Sequence, residues 1–347
     1  MTPVEQKDEL ILQAQSLGID LLRIAPITLA PKYQDAFDRW IDDGCHGEMD
    51  YLARRRESGR DATAVIPEPR SVITIGVNYY YEPESSADIQ ATSGSVSRYA
   101  VMRDYHKVVT KRLKTIAQFM MSEWQAAARY YVDTGPVLER GYAESAGIGY
   151  IGRNTCVITE THGSWVFLGA IVTNLELPPD ENTTKLRCGS CRQCIDACPT
   201  KAIRDDYTVD ARLCISYLTI EHRGPIPEAL RPGIGNWLFG CDICQDVCPH
   251  NGRAQPTAVE DFREIRIGDR LLSLRSLLAI ETDEAFLQQF AGLPLMRAKR
   301  RGLQRNACVV AGNSGDASLI PDLQGLIDRE SDEMLQEHAT WAIAQLQ

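Results

Sequence analysis

The chain has 347 residues, of which 44% are hydrophobic and 24% are charged, and its formal net charge is −10. This composition is typical of a globular protein with a sizeable core and room for two or three domains. The negative charge argues against indiscriminate nucleic-acid binding, although it does not exclude a local basic patch. Charged residues interrupt residues 1–30, so we expect no signal peptide, no membrane segment and a cytoplasmic location.

The first 174 residues predict helices that alternate with strands. The segment Thr2-Pro-Val-Glu5 fits a capping box, which begins a helix, and Gly18 suits the end of that helix. The periodicity predicts further helices at 31–42 and 104–128, and strands at 21–27, 70–78, 129–133 and 164–174. This order indicates an α+β (α/β-like) domain with one main sheet.

We divide the chain into three predicted domains. The first covers 1–180, because Pro178-Pro-Asp180 interrupts the pattern of strands and helices. A cysteine-rich, ferredoxin-like domain follows at 181–255, and its Gly- and Pro-rich insertion could cover a cofactor or form a pocket wall. Residues 256–347 predict a helical domain, in which 297–346 resemble one helix pair of a HEAT-type repeat.

Eight of the eleven cysteines are candidate iron–sulfur ligands. One group has the spacing C-x2-C-x2-C-x3-C-P from residue 188, the second has C-x2-C-x3-C-P from residue 241, and Cys214 lies between them. In two-cluster bacterial ferredoxins, the Cys before the Pro ligates the other cluster. By that rule one 4Fe–4S cluster takes Cys188, Cys191, Cys194 and Cys248, and the other takes Cys198, Cys214, Cys241 and Cys244.

The alternative role for these cysteines is structural zinc, because paired C-x2-C motifs also build zinc ribbons. A zinc site has no use for three cysteines at successive spacings of three followed by Cys-Pro, so the pattern favours two 4Fe–4S clusters. We expect the remaining Cys45, Cys156 and Cys308 to be ordinary buried or half-buried thiols.

Two motifs in the first domain carry a resemblance to a known family. Residues 131–140 have the sequence YVDTGPVLER, and residues 149–155 have the sequence GYIGRNT. Together with the offset Cys214 and the helical tail, they resemble epoxyqueuosine reductases over essentially the whole chain. The resemblance implies reduction of epoxyqueuosine to queuosine at the wobble position of tRNA anticodons, the final step of queuosine biosynthesis. It also implies that two 4Fe–4S clusters pass electrons to a cobalamin.

The resemblance assigns Asp133 as the proton donor. Burial beside a corrin would raise the pKa of this carboxyl group and keep it protonated near neutrality. From the residues alone, Asp133 could instead cap the turn that follows it. The candidate cobalamin contacts, each of which could equally be a surface or packing residue, are Arg56, Ser97, Arg98, Tyr99, Arg140, Arg153 and Asn154.

A histidine ligand to cobalt is not expected. The segment that comes nearest to the corrinoid signature Asp-x-His-x-x-Gly begins at Asp104 and lacks the Gly. We therefore interpret His106 as an ordinary helix residue and expect a cobalamin that is held without a histidine ligand, as the family resemblance implies.

A basic segment at the start of the tail is a candidate tRNA-binding surface. No acidic residue lies between Leu293 and Gly315. Lysine and arginine at such a position could contact phosphates, whereas the alternative is a solvated helix face. The candidate residues are Arg297, Lys299, Arg300, Arg301 and Arg305. We expect a monomer that receives electrons from an external low-potential donor.

Two other functions would also use the clusters. A cobalamin- and iron–sulfur-dependent reductive dehalogenase usually carries a twin-arginine export signal, which this sequence does not show, and it has no need of a basic tail. A non-catalytic, ferredoxin-type electron carrier would use the first 175 residues only for docking, and it would not need the Asp133 motif. Iron and corrinoid contents after anaerobic purification would distinguish the carrier from the reductase.

Overall fold

The structure is a computed structural model, and it describes residues 1–57, 62–82, 92–265, 267 and 270–347. The strands are β1 Leu21–Pro26, β2 Ser71–Asn78, β3 Ser93–Val96, β4 Ala128–Tyr131, β5 Tyr150–Ile151, β6 Val157–Ile158, β7 Val166–Thr173, β8 Trp237–Phe239 and β9 Leu271–Ser273. The helices of the first half are α1 Pro3–Ser16, α2 Pro31–Asp42, α3 Asp50–Glu57, α4 Tyr105–Trp124 and α5 Glu139–Ser145. The later helices are α6 Gln193–Ala197, α7 Ile215–Ile220, α8 Arg231–Ile234, α9 Ile243–Asp246, α10 Glu260–Arg263, α11 Leu274–Leu278, α12 Asp283–Phe290, α13 Lys299–Ser314, α14 Ile320–Arg329 and α15 Glu333–Leu346.

The main sheet has the strand order β1-β2-β7-β4, and every neighbouring pair is antiparallel. Strand β2 is central and buried along its whole length, which suits its β-branched sequence SVITIGVN. Leu113 and Ile116 of α4 pack with Ile73 on one face, and Tyr142 of α5 packs with Val72 on the other. The predicted strands and helices of this region are confirmed, and they form a mixed layer structure around one main sheet.

The predicted start of α1 is also confirmed. The Thr2 hydroxyl accepts a hydrogen bond from the Glu5 N–H at 3.3 Å, and the Glu5 carboxylate accepts one from the Thr2 N–H at 2.7 Å. These reciprocal bonds satisfy two amides that a helix start otherwise leaves without partners. Gly18 has a φ of +69°, which lets the chain leave the helix and turn into β1.

A second sheet joins distant parts of the chain. Its strand order is β8-β3-β9, with β3 parallel to β8 and antiparallel to β9. Each strand comes from a different one of the three predicted domains. The domain boundaries at 180 and 255 therefore remain predictions. In the folded protein, the three segments are joined because each contributes a strand to this sheet.

Residues 297–346 are helical, as predicted, but they contain three helices (α13, α14 and α15) where one helix pair was expected. Helix α13 ends at Gly315, whose φ of +70° suits a helix end, and Asp332 caps α15 through its side chain. The middle of α13 is buried, and its Leu303 shares a core with Leu238 of the second sheet. The tail thus packs directly on the rest of the protein.

In the cysteine-rich region, the short helices α6 and α9 each carry a cysteine and pack against each other. Cys198 and Cys248 each precede a proline, and both have extended backbones, with φ/ψ of −67°/112° and −75°/121°. A following proline disfavours the helical conformation, so both short helices end before their last cysteine. Among the described residues, no helix is both long and apolar enough to cross a membrane.

Candidate active site and cysteine loops

A cavity of about 560 Å³ lies between the main sheet and the cysteine-rich region. Its wall is largely aromatic, with rings from Tyr33, Phe37, Trp40, Tyr79, Tyr99, Tyr105, Phe167 and Tyr207. Phe167 is stacked between two of them, with centroid distances of 4.2 Å to Tyr105 and 4.2 Å to Tyr79. Flat apolar walls with a few convergent polar groups are typical of sites for large, flat ligands.

Asp133 is one of the polar groups on this wall, just beyond the end of β4. Its side chain is 56% exposed. The carboxylate accepts a short hydrogen bond from the Tyr105 hydroxyl, and the Nε2 atom of His106 lies 3.8 Å away. Both neighbours come from the start of α4, where Asp104 is the cap of the helix. Asp133 therefore combines access to the cavity with two partners that can carry protons.

The backbone of Asp133 has a φ of +60°, in the left-handed region that few residues other than glycine adopt. Two side chains hold this turn. The guanidinium of Arg55 donates to the Asp133 carbonyl at 3.1 Å and to the Thr134 carbonyl at 3.0 Å. The Glu139 carboxylate accepts the Asp133 N–H at 3.0 and 3.1 Å.

Glu139 has an unusual electrostatic environment. The side chain is half-buried at the cavity wall, and desolvation, followed by the charge of Asp133, raises its pKa from 4.5 to about 8. Arg55 and Arg140 act in the opposite direction. Sequence analysis did not identify Glu139 or Arg55 as site residues, although Glu139 belongs to the 131–140 motif.

Arg140 holds a second unusual turn on the same wall. It donates to the carbonyl of Thr155 at 2.8 Å, and Thr155 has a φ of +66°, which is rare for a β-branched residue. Arg140, Thr155 and Tyr99 all line the cavity. Of the seven predicted cobalamin contacts, Tyr99 and Arg140 are thus at the cavity.

Three other predicted contacts, Arg56, Ser97 and Arg98, are not among the residues that line the described cavity. Arg56 pairs with Asp42 and Asp38, and it is absent from the described cavity lining. The backbone of Ser97 pairs with Phe239, and its buried hydroxyl faces Gly240 so closely that a side chain there would collide with it. These contacts are structural.

Arg98 is likewise a packing residue. It is 8% exposed, its guanidinium pairs with Asp246, and it lies 4.5 Å from the ring centroid of Trp165. Its backbone N–H donates to the buried Asp242 carboxylate at 2.8 Å. The ion pair and the ring contact hold the side chain away from the cavity.

Arg153 and Asn154 lie at the cysteines instead of the cavity. The Arg153 N–H donates to the Cys188 sulfur at 3.4 Å, and the Asn154 amide donates to the Cys244 carbonyl at 3.3 Å. Both residues line a small second pocket. The cysteines in that pocket are Cys188, Cys191, Cys194 and Cys248.

The cysteines lie in two neighbourhoods, one around Cys194 and one around Cys214. Burial raises the pKa of the Cys194 thiol to about 11, with further contributions from Cys188 and Cys248. Desolvation also raises the pKa of the Cys214 thiol, and Cys198 adds to it. No three Cys, His, Asp or Glu side chains in the described part of the chain come close enough to hold a single metal ion. The assignment of individual ligands stays a prediction.

Cys156 lies where the cavity meets the cysteine loops. It lines the cavity, and desolvation raises the pKa of its thiol to about 12. After desolvation, Cys156 makes the largest contribution to the raised pKa of the Cys244 thiol. Gln245, next in sequence to Cys244, lines the cavity too and donates to Ser164. The second cysteine neighbourhood therefore borders the cavity.

The basic segment of the tail is largely paired with acidic groups. Arg297 binds both oxygens of Glu221 at 2.9 and 2.8 Å. Arg300 pairs with Asp283 and Glu330, and Arg301 pairs with Asp332. Lys299 is exposed.

Arg305 does not fit the prediction of a tRNA contact. It is 1% exposed, and its guanidinium donates to the carbonyls of Leu218, His222 and Gly224 at 2.6 to 2.9 Å. These bonds join α13 to the insertion of the cysteine-rich region, so Arg305 is structural.

Two family models match the chain. The epoxyqueuosine reductase QueG model matches residues 60–134, and the 4Fe–4S double cluster binding domain matches residues 187–251. The chain is 40% identical over 334 residues to the epoxyqueuosine reductase of Pseudomonas aeruginosa, covering 95% of this chain and 91% of that protein. It is 42% identical over 290 residues to that of Synechocystis, covering 82% and 98%.

Solved structures agree. A crystal structure of epoxyqueuosine reductase with an epoxyqueuosine-modified tRNA-Tyr stem loop has a TM-score of 0.91 at 30% identity, covering 99% of this chain and 91% of that one. The Streptococcus thermophilus epoxyqueuosine reductase has a TM-score of 0.86 at 27% identity, covering 98% and 90%. The Bacillus subtilis enzyme, in a structure with its catalytic aspartate loop swung out of the active site, has a TM-score of 0.84 at 26% identity, with both chains fully covered. This chain therefore belongs to the epoxyqueuosine reductase family of oxidoreductases and carries a 4Fe–4S double-cluster domain.

Proposed function

We propose that this enzyme reduces epoxyqueuosine to queuosine at the wobble position of tRNA, with two 4Fe–4S clusters and cobalamin as cofactors and Asp133 as proton donor. The observation that carries the proposal is the position of Asp133, whose carboxylate is exposed on the wall of an aromatic cavity that borders a cysteine neighbourhood. The relative bound to a modified tRNA stem loop, at a TM-score of 0.91, supports tRNA as the substrate carrier.

The reaction requires two electrons and two protons, because an epoxide that becomes an alkene loses its oxygen as water. Asp133 would deliver a proton to the departing oxygen. His106, 3.8 Å from that carboxylate, could restore the proton. Desolvation lowers the pKa of His106, but hydrogen bonding to Asp104 and the charge of Asp133 outweigh it, so the net pKa is raised. We therefore give His106, expected from the sequence to be an ordinary helix residue, a role in proton supply.

The clusters would use the crossed ligand sets. The small pocket gathers the four cysteines of one predicted set, although one of them follows the others by more than fifty residues. The other set would be Cys198, Cys214, Cys241 and Cys244. Because Cys244 lies beside Cys156 at the cavity, this second cluster would be the one that delivers electrons to the site.

The cavity has the features that a corrin needs. Its aromatic wall could cover the flat macrocycle, and Arg140 together with the Thr155 turn could meet its peripheral amides. When bound, cobalamin would supply low-valent cobalt, which can act as a nucleophile or as a one-electron donor. The protein's own part is to exclude water with the aromatic wall and to hold a proton at Asp133.

The tail would contact the tRNA. Lys299 is exposed, and Arg297, at the end of the adjacent turn, acts electrostatically on both Tyr51 and His106 near Asp133. The start of the tail is therefore close to the cavity mouth, where the backbone of an anticodon loop would lie. Cations in this position suit phosphate contacts that orient the loop without reading its sequence.

An anaerobic assay on tRNA that carries epoxyqueuosine tests the proposal. We expect queuosine, detected by mass spectrometry of the nucleosides, only when reduced enzyme contains both the clusters and cobalamin. Purified enzyme should contain about eight iron atoms per chain, as two cubane clusters require. Equal product without cobalamin, or full iron content with no ability to bind a corrinoid, would overturn the cofactor assignment.

A further inference from the structure

Three residues of the cavity wall, Asp133, Thr155 and Tyr207, have backbone conformations that their side chains disfavour, and the first two are held by side chains of helix α5. Asp133 has a φ of +60° and Thr155 a φ of +66°. Both residues line the cavity, on the β4–α5 and β5–β6 connections. Non-glycine residues keep such conformations only where their surroundings hold them, and they are concentrated at functional sites.

Glu139 and Arg140, the first two residues of α5, hold the Asp133 and Thr155 turns through hydrogen bonds. Glu139 accepts the Asp133 N–H with both carboxylate oxygens, at 3.0 and 3.1 Å. Arg140 donates to the Thr155 carbonyl at 2.8 Å. Arg55 of α3 also holds the Asp133 turn, because its guanidinium donates to the carbonyls of Asp133 and Thr134. Each strained turn is therefore tied through its backbone, while both residues remain on the cavity wall.

Helix α5 is itself firmly fixed. Tyr142 and Ala143 are each 1% exposed, and the Tyr142 hydroxyl donates to the Ile27 carbonyl at 2.8 Å. The helix packs against β1, β2 and β7 of the main sheet. A rigid helix that presents two adjacent side chains to two turns can place both turns with respect to each other.

We propose that Glu139, Arg140 and Arg55 are positioning residues, which hold the Asp133 and Thr155 turns in the geometry that the reaction needs. The catalytic relevance of the inference rests on the proposed function of Asp133, but the contact itself can be tested without turnover. A carboxyl group suits this position because its oxygens face the Asp133 N–H and can accept it whether or not the acid carries a proton.

Hydrogen–deuterium exchange of the anaerobic holoenzyme tests the hold on Asp133. In Glu139→Ala, we expect peptides that span residues 131–136 to exchange at least about tenfold faster than in the wild type, because the Asp133 amide loses its acceptor. Glu139→Gln keeps a carbonyl acceptor and should retain most of the protection. Arg55→Ala should accelerate exchange in the same peptides, whereas Arg54→Ala, at an exposed neighbouring position of α3, should not. Unchanged exchange in both Glu139→Ala and Arg55→Ala would overturn the inference.

Measurements of kcat and KM then test whether the contact between Glu139 and the Asp133 backbone matters for the reaction. We expect Glu139→Ala to lower kcat by at least about tenfold with little change in KM, since misplacement of Asp133 affects the chemical step and not tRNA binding. Glu139→Gln should recover much of kcat. If the wild type reduces epoxyqueuosine and Glu139→Ala does so at the same kcat, the positioning role is wrong and the proposed function stands. If the wild type shows no reduction, the proposed function fails, and the exchange result still decides whether the contact exists.

Cluster absorbance and circular dichroism serve as folding controls for all four variants. Loss of either signal in Glu139→Ala would leave Arg55→Ala as the variant that decides. Normal folding of Arg55→Ala, combined with wild-type exchange and wild-type kcat in that variant, would then overturn the inference.

Discussion

Asp133 has a left-handed backbone, and this decides which substitution tests its chemistry. Asn tolerates a positive φ better than most residues, whereas Ala at +60° adds backbone strain. We therefore expect Asp133→Asn to keep the fold and lose at least about a hundredfold in turnover, because the amide cannot donate the proton. Turnover is measured as queuosine formed on tRNA, with the cluster spectrum and corrinoid binding as controls.

A contrary outcome for Asp133→Asn is easy to recognise. If turnover persists near the wild-type rate, another group supplies the proton. If the clusters or the corrinoid are lost instead, Asp133 is structural, as the interpretation of it as a turn cap would require.

Glu139 should make stability depend on pH. An acid whose folded-state pKa is raised, here to about 8 by desolvation, binds its proton more tightly in the folded chain than in the unfolded chain. Its stabilising contribution is therefore complete below its ordinary value of 4.5 and is lost as the pH rises toward 8. Gln cannot ionise, so Glu139→Gln should gain stability relative to the wild type across this range.

The measurement is the difference in Tm between Glu139→Gln and the wild type, at several pH values between about 5 and 8.5. Taking the difference removes the pH dependence of the clusters, which both proteins share. The matched control is Glu123→Gln, at an exposed position near the end of α4. A difference that stays flat, or that falls with rising pH, would contradict the expected direction.

The sequence identified some of these residues and could not identify others. Asp133 and Arg140 could be identified because both belong to the 131–140 motif, which carries the family resemblance. The partnership of Arg55 with Asp133 joins positions 78 residues apart, and no local pattern encodes it. Arg98 and Arg305 were predicted to contact ligands, whereas in the structure both are buried. A sequence does not distinguish an arginine that binds a ligand from one that binds buried carbonyl or carboxylate groups.

At the scale of secondary-structure elements, the crossed ligand pattern of the two cysteine loops predicts opposite effects for two cysteine substitutions. Cys248 lies in the small pocket with Cys188, Cys191 and Cys194, although it follows the other cysteine run in sequence. We expect Cys248→Ser to damage the cluster of that pocket and to spare the other cluster. Cys198→Ser should have the reverse effect, because the crossed pattern gives each run one ligand of the other cluster.

Electron paramagnetic resonance of the two reduced variants, with iron analysis, would separate the clusters. Each variant is the control for the other, since both change a Cys-Pro cysteine that ends a short helix. If both substitutions damage the same cluster, or if each damages the cluster of its own run, the crossed assignment is wrong.

Strongly periodic elements were predictable because local physics determines them. Helix α1 has its cap, α2 has Pro31 at its start, and β2 has an unbroken β-branched sequence. The tail was harder, because residues 320–346 form two helices with a break at Glu330. Arg300 stabilises that break by pairing with Glu330 at 2.5 Å, which is a contact between distant positions.

For the whole molecule, the pairing of β3 with β8 and β9 is the feature least accessible to sequence analysis. These strands are three or four residues long, and their partners lie more than 140 residues away in the chain. Short strands carry little periodic signal, and loop closure over such distances depends on the assembled core. The sheet matters for function because it brings the tail, the cysteine loops and the cavity wall into one unit.

Because the basic segment belongs to this packed unit, a substitution in it can change stability as well as tRNA binding. Arg300 is 17% exposed and Glu330 is 12% exposed, so reversing the charge of Arg300 would place two carboxylates together in a half-buried position. Breaking a buried pair costs about 3 kcal/mol or more, and Arg300→Glu should therefore lower Tm as well as tRNA affinity. A loss of binding in that variant would not by itself locate the tRNA.

Lys299 offers the cleaner test, because it is exposed at the start of α13. We expect Lys299→Glu to weaken binding of the tRNA stem loop about tenfold at low salt and to reduce the slope of log Kd against log salt by about one, with Tm unchanged. Fluorescence anisotropy at several salt concentrations gives both quantities, and Lys114→Glu on α4 is the control. Wild-type affinity and slope in Lys299→Glu would show that Lys299 belongs to a solvated helix face. The tRNA would then have to be oriented by groups closer to the cavity, such as Arg297 and Tyr51, which lie near Asp133.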